Sequence, residues 1–235
     1  MPAIPCRAFV ERVETLSYNV RGFHLKLVEP SSLEFQAGQF MILNVPRGGK
    51  IVKRAYSIAS PPHQAGVLEL CIQHLEGGAA SSYLWQLKGG EEVSLSGPHG
   101  RFVVKEPLEY DPVLVATGTG VAPLRSMIKD LLHKQVTRDI WLLFGCRYEH
   151  AVLYESEFRS LATLRRNFRY HITVSRPKEW QGDVGYVQDL YKRYVKDHAN
   201  REFYLCGWDA IVKSVSRDLE ALGVPREKLH YEEWG

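Results

Sequence analysis

The sequence predicts a β plus α/β protein of two domains, an N-terminal antiparallel Greek-key barrel followed by a doubly wound parallel sheet. Two observations predict this fold class. Up to about residue 105, apolar and polar residues alternate in short runs between turn residues, whereas from residue 112 apolar strands alternate with helical patterns. The length of 235 residues accommodates two domains of ordinary size. We expect them at residues 1–106 and 107–235.

The barrel half contains three clear strand patterns and one helical piece. The strand patterns cover residues 21–28, 39–45 and 67–72, and the helical piece lies near residues 81–87. Residues 96–102 are rich in glycine and proline, so we expect them to form a tight turn at the end of the barrel. Strands this short and this closely spaced are typical of an antiparallel barrel.

The second half alternates strands and helices along its length. The expected strands are residues 112–116, 139–144, 168–174, 202–206 and 228–231, and the expected helices are residues 124–133, 155–165, 187–195 and 210–222. Because a helix connects each strand to the next, we expect the strands to be parallel.

Composition excludes several classes of function. A net charge of +3 without a long basic run argues against nucleic-acid binding. No apolar stretch reaches the roughly 18 residues of a membrane span, and the N-terminus lacks the apolar core of a signal peptide. The four cysteines are far apart, and the nine histidines lack metal-ligand spacing, so no metal site is expected. We expect buried free thiols and a cytoplasmic protein.

A glycine turn stands between a predicted strand and a predicted helix. Gly118, Thr119 and Gly120 follow the apolar run at residues 112–116, and Pro123 lies in the first helical turn. Such a turn lets backbone N–H groups approach a phosphate, with the positive end of the helix dipole behind them. The turn therefore predicts a nucleotide site, although glycine turns of this kind also serve plain chain reversal.

A second candidate site lies in the barrel half, where Arg54, Tyr56 and Ser57 follow one another on a strand. Arginine pairs with phosphate, tyrosine stacks on a planar ring and serine donates a hydrogen bond. An ordinary half-exposed strand with Tyr56 in the core explains the same residues. Residues 77–84 form a small-residue turn that enters a helix, which predicts either a second anion site or a plain connection.

Taken in their order, these segments resemble the ferredoxin–NADP reductase family of flavoproteins, in its two-domain form without a fused ferredoxin domain. The resemblance covers about residues 7–235. The matching segments are residues 54–57, 77–84, 97–102, 118–123, 144–147 and 204–207. The absence of a C-x-x-x-x-C-x-x-C stretch argues against a fused plant-type ferredoxin domain.

The resemblance implies that FAD binds to the barrel. Arg54 would hold the pyrophosphate, Tyr56 would stack on the isoalloxazine and Ser57 would hydrogen-bond near its N5 atom. The remaining residues that it implies for FAD are Ala55, Gly78, Ser81, Ser82 and, over the flavin face, Trp234.

The resemblance also implies a nicotinamide nucleotide on the second domain. Gly118, Thr119 and Gly120 would bind its pyrophosphate. Cys206, next to Gly207, would lie beside the nicotinamide, and the implied catalytic residues are Ser57, Cys206 and Glu232.

The adenosine end of that nucleotide decides between NADPH and NADH. Ser175 and Arg176 end the third parallel strand and Tyr186 would face the adenine, while Arg147 would contact ribose or phosphate. A 2′-phosphate favours arginine, whereas a bare 2′-hydroxyl favours a carboxylate, so NADP is expected as the nucleotide, with NAD possible.

The implied activity is an NAD(P)H-dependent reductase that passes electrons to a separate partner: a ferredoxin, a flavodoxin or an oxygenase component. Basic residues beside the flavin strand, Arg47, Lys50 and Lys53, would attract an acidic carrier, unless they simply form a solvated loop. Two alternatives stay open. One is a flavin reductase that releases reduced free flavin, and the other is a non-catalytic electron-relay subunit.

Overall fold

The computed structural model describes residues 3–64 and 66–234. The chain forms two compact units. The first ends at Val103 and also takes in Arg125–Lys134, and the second comprises Val104–Leu124 and the chain after Lys134. The first unit holds an antiparallel sheet and the second a parallel sheet with helices, so the predicted fold class is confirmed.

The first unit is built on a six-stranded antiparallel sheet with the order β4-β3-β6-β1-β2-β5. Its strands are β1 (Ile4–Ser17), β2 (Val20–Glu29), β3 (Phe40–Arg47), β4 (Lys50–Ser57), β5 (Val67–Gln73) and β6 (Glu92–His99). An isolated antiparallel bridge from Ile58 to Leu70 joins the two ends of this sheet, next to β4 and within β5. The sheet therefore curls into a barrel.

Strand β3 shows how alternation fills the barrel core. Met41, Leu43 and Val45 are fully buried, whereas Ile42 and Asn44 between them are partly exposed. Successive side chains of a strand point to opposite faces, and each buried aliphatic side chain stabilises the fold by roughly 1.5–3 kcal/mol.

Two expectations for the barrel half differ from the structure. The helix α1 is Ala79–Leu84, two residues earlier than expected at its start and three at its end. Residues 96–99 belong to β6, so the expected turn begins only at Gly100, which has a φ of 98°. Gly97 lies within the strand, and a Cβ at this position would collide with the side chain of Met41. Its glycine serves close packing inside the barrel.

The second unit contains a parallel sheet with the strand order β10-β9-β8-β7-β11-β12. Its strands are β7 (Asp111–Thr117), β8 (Ile140–Cys146), β9 (Phe168–Val174), β10 (Asp183–Val184), β11 (Arg201–Trp208) and β12 (Leu229–Trp234). The chain adds strands outward from β7 to β10 and then returns to the other side of β7 with β11. The order therefore reverses between β7 and β11, where nucleotides bind in sheets of this kind.

The helices predicted for the second half of the chain all form. They are α2 (Val121–His133), α3 (Glu155–Leu164), α4 (Val187–Tyr194) and α5 (Asp209–Ala221).

Among the described helices, none combines the length and the apolar character that crossing a membrane requires. None of the four cysteines forms a disulfide bond within the described chain, but Cys146 is half-buried at the end of β8, so the expectation of burial is wrong for this residue.

Candidate functional site

The glycine turn follows β7, at the point where the strand order reverses. Gly118–Gly120 form one 3₁₀ turn that leads directly into α2, and Gly118 adopts a φ of 54°, which favours glycine. A Cβ on Gly120 would collide with the backbone of Cys206 and Gly207. Gly120 therefore lets the backbone of β11 pass directly beside the turn.

The ends of β7, β11 and β12 bring three of the predicted residues together. Cys206 is the register partner of Ala116 on one side and of Glu232 on the other. Gly207 has a φ of 158°, and a Cβ there would collide with the Thr117 hydroxyl. That buried hydroxyl has no hydrogen-bond partner within the described parts of the chain. A thiol, a carboxylate and an uncommitted hydroxyl therefore share one end of the sheet.

Trp234 is the last residue of β12, at the edge of the parallel sheet. The backbone of Trp234 pairs with that of Trp208 at the end of β12, but its side chain lies outside the described residues. A function of this tryptophan over the flavin stays a prediction.

The four predicted adenosine residues lie at the carboxyl edge of the same sheet, because each follows the end of a parallel strand. Arg147 follows β8, Ser175 and Arg176 follow β9, and Tyr186 follows β10. The backbone N–H of Arg176 donates to the Arg147 carbonyl at 2.8 Å. Both arginines are exposed, and neither guanidinium forms an ion pair with any carboxylate that the structure describes. This edge therefore carries two exposed arginines that are joined through their backbones and have no carboxylate partner in the described chain.

Glu149 orders the loop after Arg176, which the sequence analysis did not foresee. Its carboxylate accepts backbone hydrogen bonds from Lys178 at 3.2 Å and Glu179 at 3.0 Å. Hydrogen bonds from its own N–H and from Glu179 hold the pKa of Glu149 below its usual range. This carboxylate is therefore committed to the loop.

Two exposed aromatic residues, Tyr186 and Trp208, directly precede the helices α4 and α5, between which a groove lies. Tyr186 is 70% exposed and Trp208 is 59% exposed. Tyr186 lines this groove together with Asp209, the residue that follows Trp208. Trp208 was not predicted as a site residue, although its position directly after Gly207, at the end of a parallel strand, indicates one.

The predicted flavin strand is β4, and it is unusually exposed for a strand. Arg54 and Ala55 are exposed and Tyr56 is half-buried against the barrel core, whereas Ser57 is 6% exposed. Burial raises the pKa of Tyr56, and the Arg54 cation offsets part of that rise. Arg54 donates to the carbonyl of its neighbour Lys53 at 2.8 Å. The buried hydroxyl of Ser57 has no hydrogen-bond partner among the described residues.

The turn before α1 is held by one of its own predicted ligands. The Ser81 hydroxyl accepts from the backbone N–H of Leu75 at 3.1 Å and donates to the Gly78 carbonyl at 3.0 Å. A Cβ on Gly78 would lie 2.8 Å from that hydroxyl. Ser81 therefore shapes the turn from within, while Ser82 is partly exposed on α1. Direct contacts of Gly78, Ser81 and Ser82 with a phosphate stay predictions.

The residues present fit the two expected cofactors. On the barrel, Arg54 is exposed without a carboxylate partner in the described chain, and Ser57 offers a buried hydroxyl that no described protein group hydrogen-bonds. On the parallel sheet, the left-handed Gly118 and the closely packed Gly120 form a turn of backbone that a phosphate can approach.

Comparison with known proteins gives matches over nearly the whole chain. Residues 7–104 match the family model of the oxidoreductase FAD-binding domain, and residues 114–217 match that of the oxidoreductase NAD-binding domain. Ferredoxin–NADP reductase B of Sorangium cellulosum is 39% identical over 242 aligned positions, covering 99% of this chain and 98% of its own length.

A second relative and a solved structure are longer than this chain. The reductase component DmpP of phenol 2-monooxygenase from Pseudomonas sp. strain CF600 is 38% identical, over 88% of this chain and 59% of its own length. The crystal structure of the Amycolatopsis cytochrome P450 reductase GcoB superimposes with a TM-score of 0.91 at 27% identity, over 99% of this chain and 70% of that one. This chain thus spans nearly all of the Sorangium protein, about three fifths of DmpP and 70% of GcoB.

Proposed function

Since the chain belongs to the family of oxidoreductases that join an FAD-binding domain to an NAD-binding domain, we propose that it carries electrons from NADPH to a separate small redox protein. The chain is an NAD(P)H-dependent oxidoreductase of the ferredoxin–NADP reductase type, with FAD as its cofactor. We propose that the boundary between the FAD-binding and the NAD(P)-binding domains lies between residues 106 and 107. We propose a reducing, cytoplasmic location, which the lack of a disulfide bond among the described cysteines supports.

FAD, when bound, accepts a hydride and gives up single electrons, so the protein itself chiefly binds and orients. We assign the FAD pyrophosphate to Arg54, the isoalloxazine face to Tyr56 and its polar edge to Ser57. The pairing of Arg54 with an anion would use a guanidinium that no carboxylate of the described chain neutralises.

For the nicotinamide nucleotide we assign the pyrophosphate to residues 118–120 and the nicotinamide to the end of β11. Cys206 is a buried thiol without a histidine as its neighbour in sequence, so we propose that it packs against the ring and does not act as a nucleophile. Glu232, its register partner, places a carboxylate beside that position.

The preference for NADPH rests on the pair Arg147 and Arg176. Their backbones are joined by a hydrogen bond of 2.8 Å, and both guanidiniums are exposed without an ion-pair partner in the described chain. A 2′-phosphate carries the negative charge needed to pair with two such cations, whereas a ribose hydroxyl is uncharged. We further propose that Ser175 contributes to this phosphate site and that Tyr186 and Trp208 contact the adenine, because both rings present large exposed faces.

The β3–β4 hairpin is the proposed docking site for the electron acceptor. Arg47, Lys50 and Lys53 are exposed on it, and none forms an ion pair with a carboxylate of the described residues. Ile51, among them, is 60% exposed. A cationic surface with an apolar centre fits an acidic carrier, and the Sorangium relative is named a ferredoxin reductase. A ferredoxin is therefore the acceptor that we propose first.

Charge reversal on this hairpin tests the acceptor. We expect Lys50→Glu with Lys53→Glu to lower kcat/KM for an acidic ferredoxin about tenfold at low ionic strength, because two attractions become repulsions. The reduction of ferredoxin by NADPH is followed at several salt concentrations, and the difference is expected to shrink as salt rises. The matched control is Lys26→Glu, an exposed lysine on β2. Equal losses in the two variants would contradict a specific docking site.

A further inference from the structure

Two side chains of α2 hydrogen-bond the chain immediately after the flavin strand. Arg125 donates through Nη1 to the Ala59 carbonyl at 2.8 Å, and the Ser126 hydroxyl donates to the Ser60 carbonyl at 2.7 Å. Arg125 is 7% exposed and Ser126 is fully buried. These residues belong to the same compact unit as the barrel. Buried hydrogen bonds of this length fix the backbone groups that accept them.

These hydrogen bonds lie where the barrel closes. Strand β5 is joined to the segment after β4 by the bridge from Ile58 to Leu70 and by a hydrogen bond from the Ala59 N–H to the Glu69 carbonyl at 2.8 Å. The Glu69 carboxylate in turn accepts from Arg125 at 2.8 Å. Ala59 is thus held through its N–H by Glu69 and through its carbonyl by Arg125. Few backbone hydrogen bonds join the segment after β4 to β5, and the side chain of Arg125 adds a further connection between them.

The position of Ser57 depends on this closure. Its hydroxyl has no hydrogen-bond partner in the described chain, so no hydrogen bond of the described residues fixes the direction of this side chain. The backbone that follows Ser57 is fixed by hydrogen bonds. The N–H of Ile58, the next residue, donates to the Gln39 carbonyl at 3.0 Å, and the carbonyls of Ala59 and Ser60 accept from side chains of α2. Ser57 is only about 7 Å of extended chain from Ala59.

We propose that Arg125 and Ser126 are positioning residues for the flavin, which set the place of Tyr56 and Ser57 by holding the carbonyls of Ala59 and Ser60. This inference rests on the proposed function, because it assumes that β4 binds FAD. A movement of these carbonyls would shift the tyrosine ring and the serine hydroxyl together, and with them the environment of the isoalloxazine.

Ser126→Ala is the variant that tests the inference. It removes one neutral hydrogen bond, whereas the loss of Arg125 would also remove the cation that lies 2.8 Å from the buried Glu69 carboxylate. We expect the apo-protein to remain folded by far-ultraviolet circular dichroism and to bind FAD about tenfold more weakly. The visible circular dichroism of bound FAD is also expected to change, because the ring environment is displaced.

Ser216→Ala in α5 is the matched control, since the Ser216 hydroxyl is buried without a hydrogen-bond partner in the described chain. This control is expected to match the wild type. Arg125→Lys is a second test, because it keeps a cation beside Glu69 and is expected to weaken FAD binding while the fold persists.

The outcomes separate the inference from the proposed function. If wild-type apo-protein binds FAD, and both Ser126→Ala and Arg125→Lys bind it with unchanged affinity and spectrum, the positioning role is overturned and the function stands. If the wild-type apo-protein fails to bind FAD, the proposed function fails, and the inference fails with it.

Discussion

Gly120→Ala is expected to lower the rate at which NADPH reduces the protein-bound flavin by about a hundredfold. The added methyl group would collide with the backbone of Cys206 and Gly207, so the glycine turn and the end of β11 must separate. A displacement of about 1 Å near reacting groups costs about that factor. The rate is measured by stopped-flow absorbance under anaerobic conditions.

The control for this variant is Gly66→Ala. A Cβ on Gly66 would lie 3.5 Å from the Ser31 carbonyl, which is ordinary van der Waals contact. A normal rate in Gly120→Ala would contradict the placement of the nucleotide between β7 and β11.

Arg54→Ala is expected to raise the dissociation constant for FAD about a hundredfold. Hydrogen bonds between charged groups contribute about 1.5–3 kcal/mol each, and a guanidinium can make two to a pyrophosphate. The dissociation constant is measured by titrating apo-protein with FAD and following flavin fluorescence. The fold is expected to persist, because the Arg54 side chain is exposed and donates a hydrogen bond to the carbonyl of the neighbouring Lys53.

Lys26→Ala removes an exposed cation from β2 and serves as the control for Arg54→Ala. It is expected to bind FAD as the wild type does. Unchanged affinity in Arg54→Ala would place the FAD phosphates elsewhere and would remove the main support for β4 as the flavin strand.

The parallel sheet was predictable because its strands are buried on both faces. β7 and β11 are short apolar runs, and the helices between the strands carry apolar residues at helical spacing. The glycine turn could be found for the same reason, since it interrupts two clear patterns. Local sequence determines these features.

The barrel was less predictable strand by strand. β4 lacks a clean apolar alternation because its residues 53–55 are all exposed, so only the Arg54–Ser57 motif marked it as a strand. β6 contains glycine and proline, which predict a turn, yet Gly97 lies in the strand to make room for Met41. The length of β1, Ile4–Ser17, follows from its pairing with β2 and β6. Pairing between distant strands overrides local preference here.

Two residues that sequence reasoning missed, Glu149 and Arg125, depend on contacts between distant segments. Glu149 meets a loop about 30 residues later in the chain, and Arg125 meets Glu69 across 56 residues. Nothing in the local sequence marks either residue, because a charged side chain on a helix or loop is most often solvated. The fold alone reveals these partners.

Anaerobic titration of the FAD-loaded protein with NADPH and, separately, with NADH tests the proposed transfer of electrons from NADPH to FAD, and it is followed in the visible spectrum. We expect NADPH to bleach the flavin absorbance at about tenfold lower concentration than NADH, because the proposed site pairs the 2′-phosphate with Arg147 and Arg176. A preference for NADH would contradict the assignment of these two arginines. A protein that stays colourless after incubation with FAD would contradict tight flavin binding and would favour a reductase that releases free flavin.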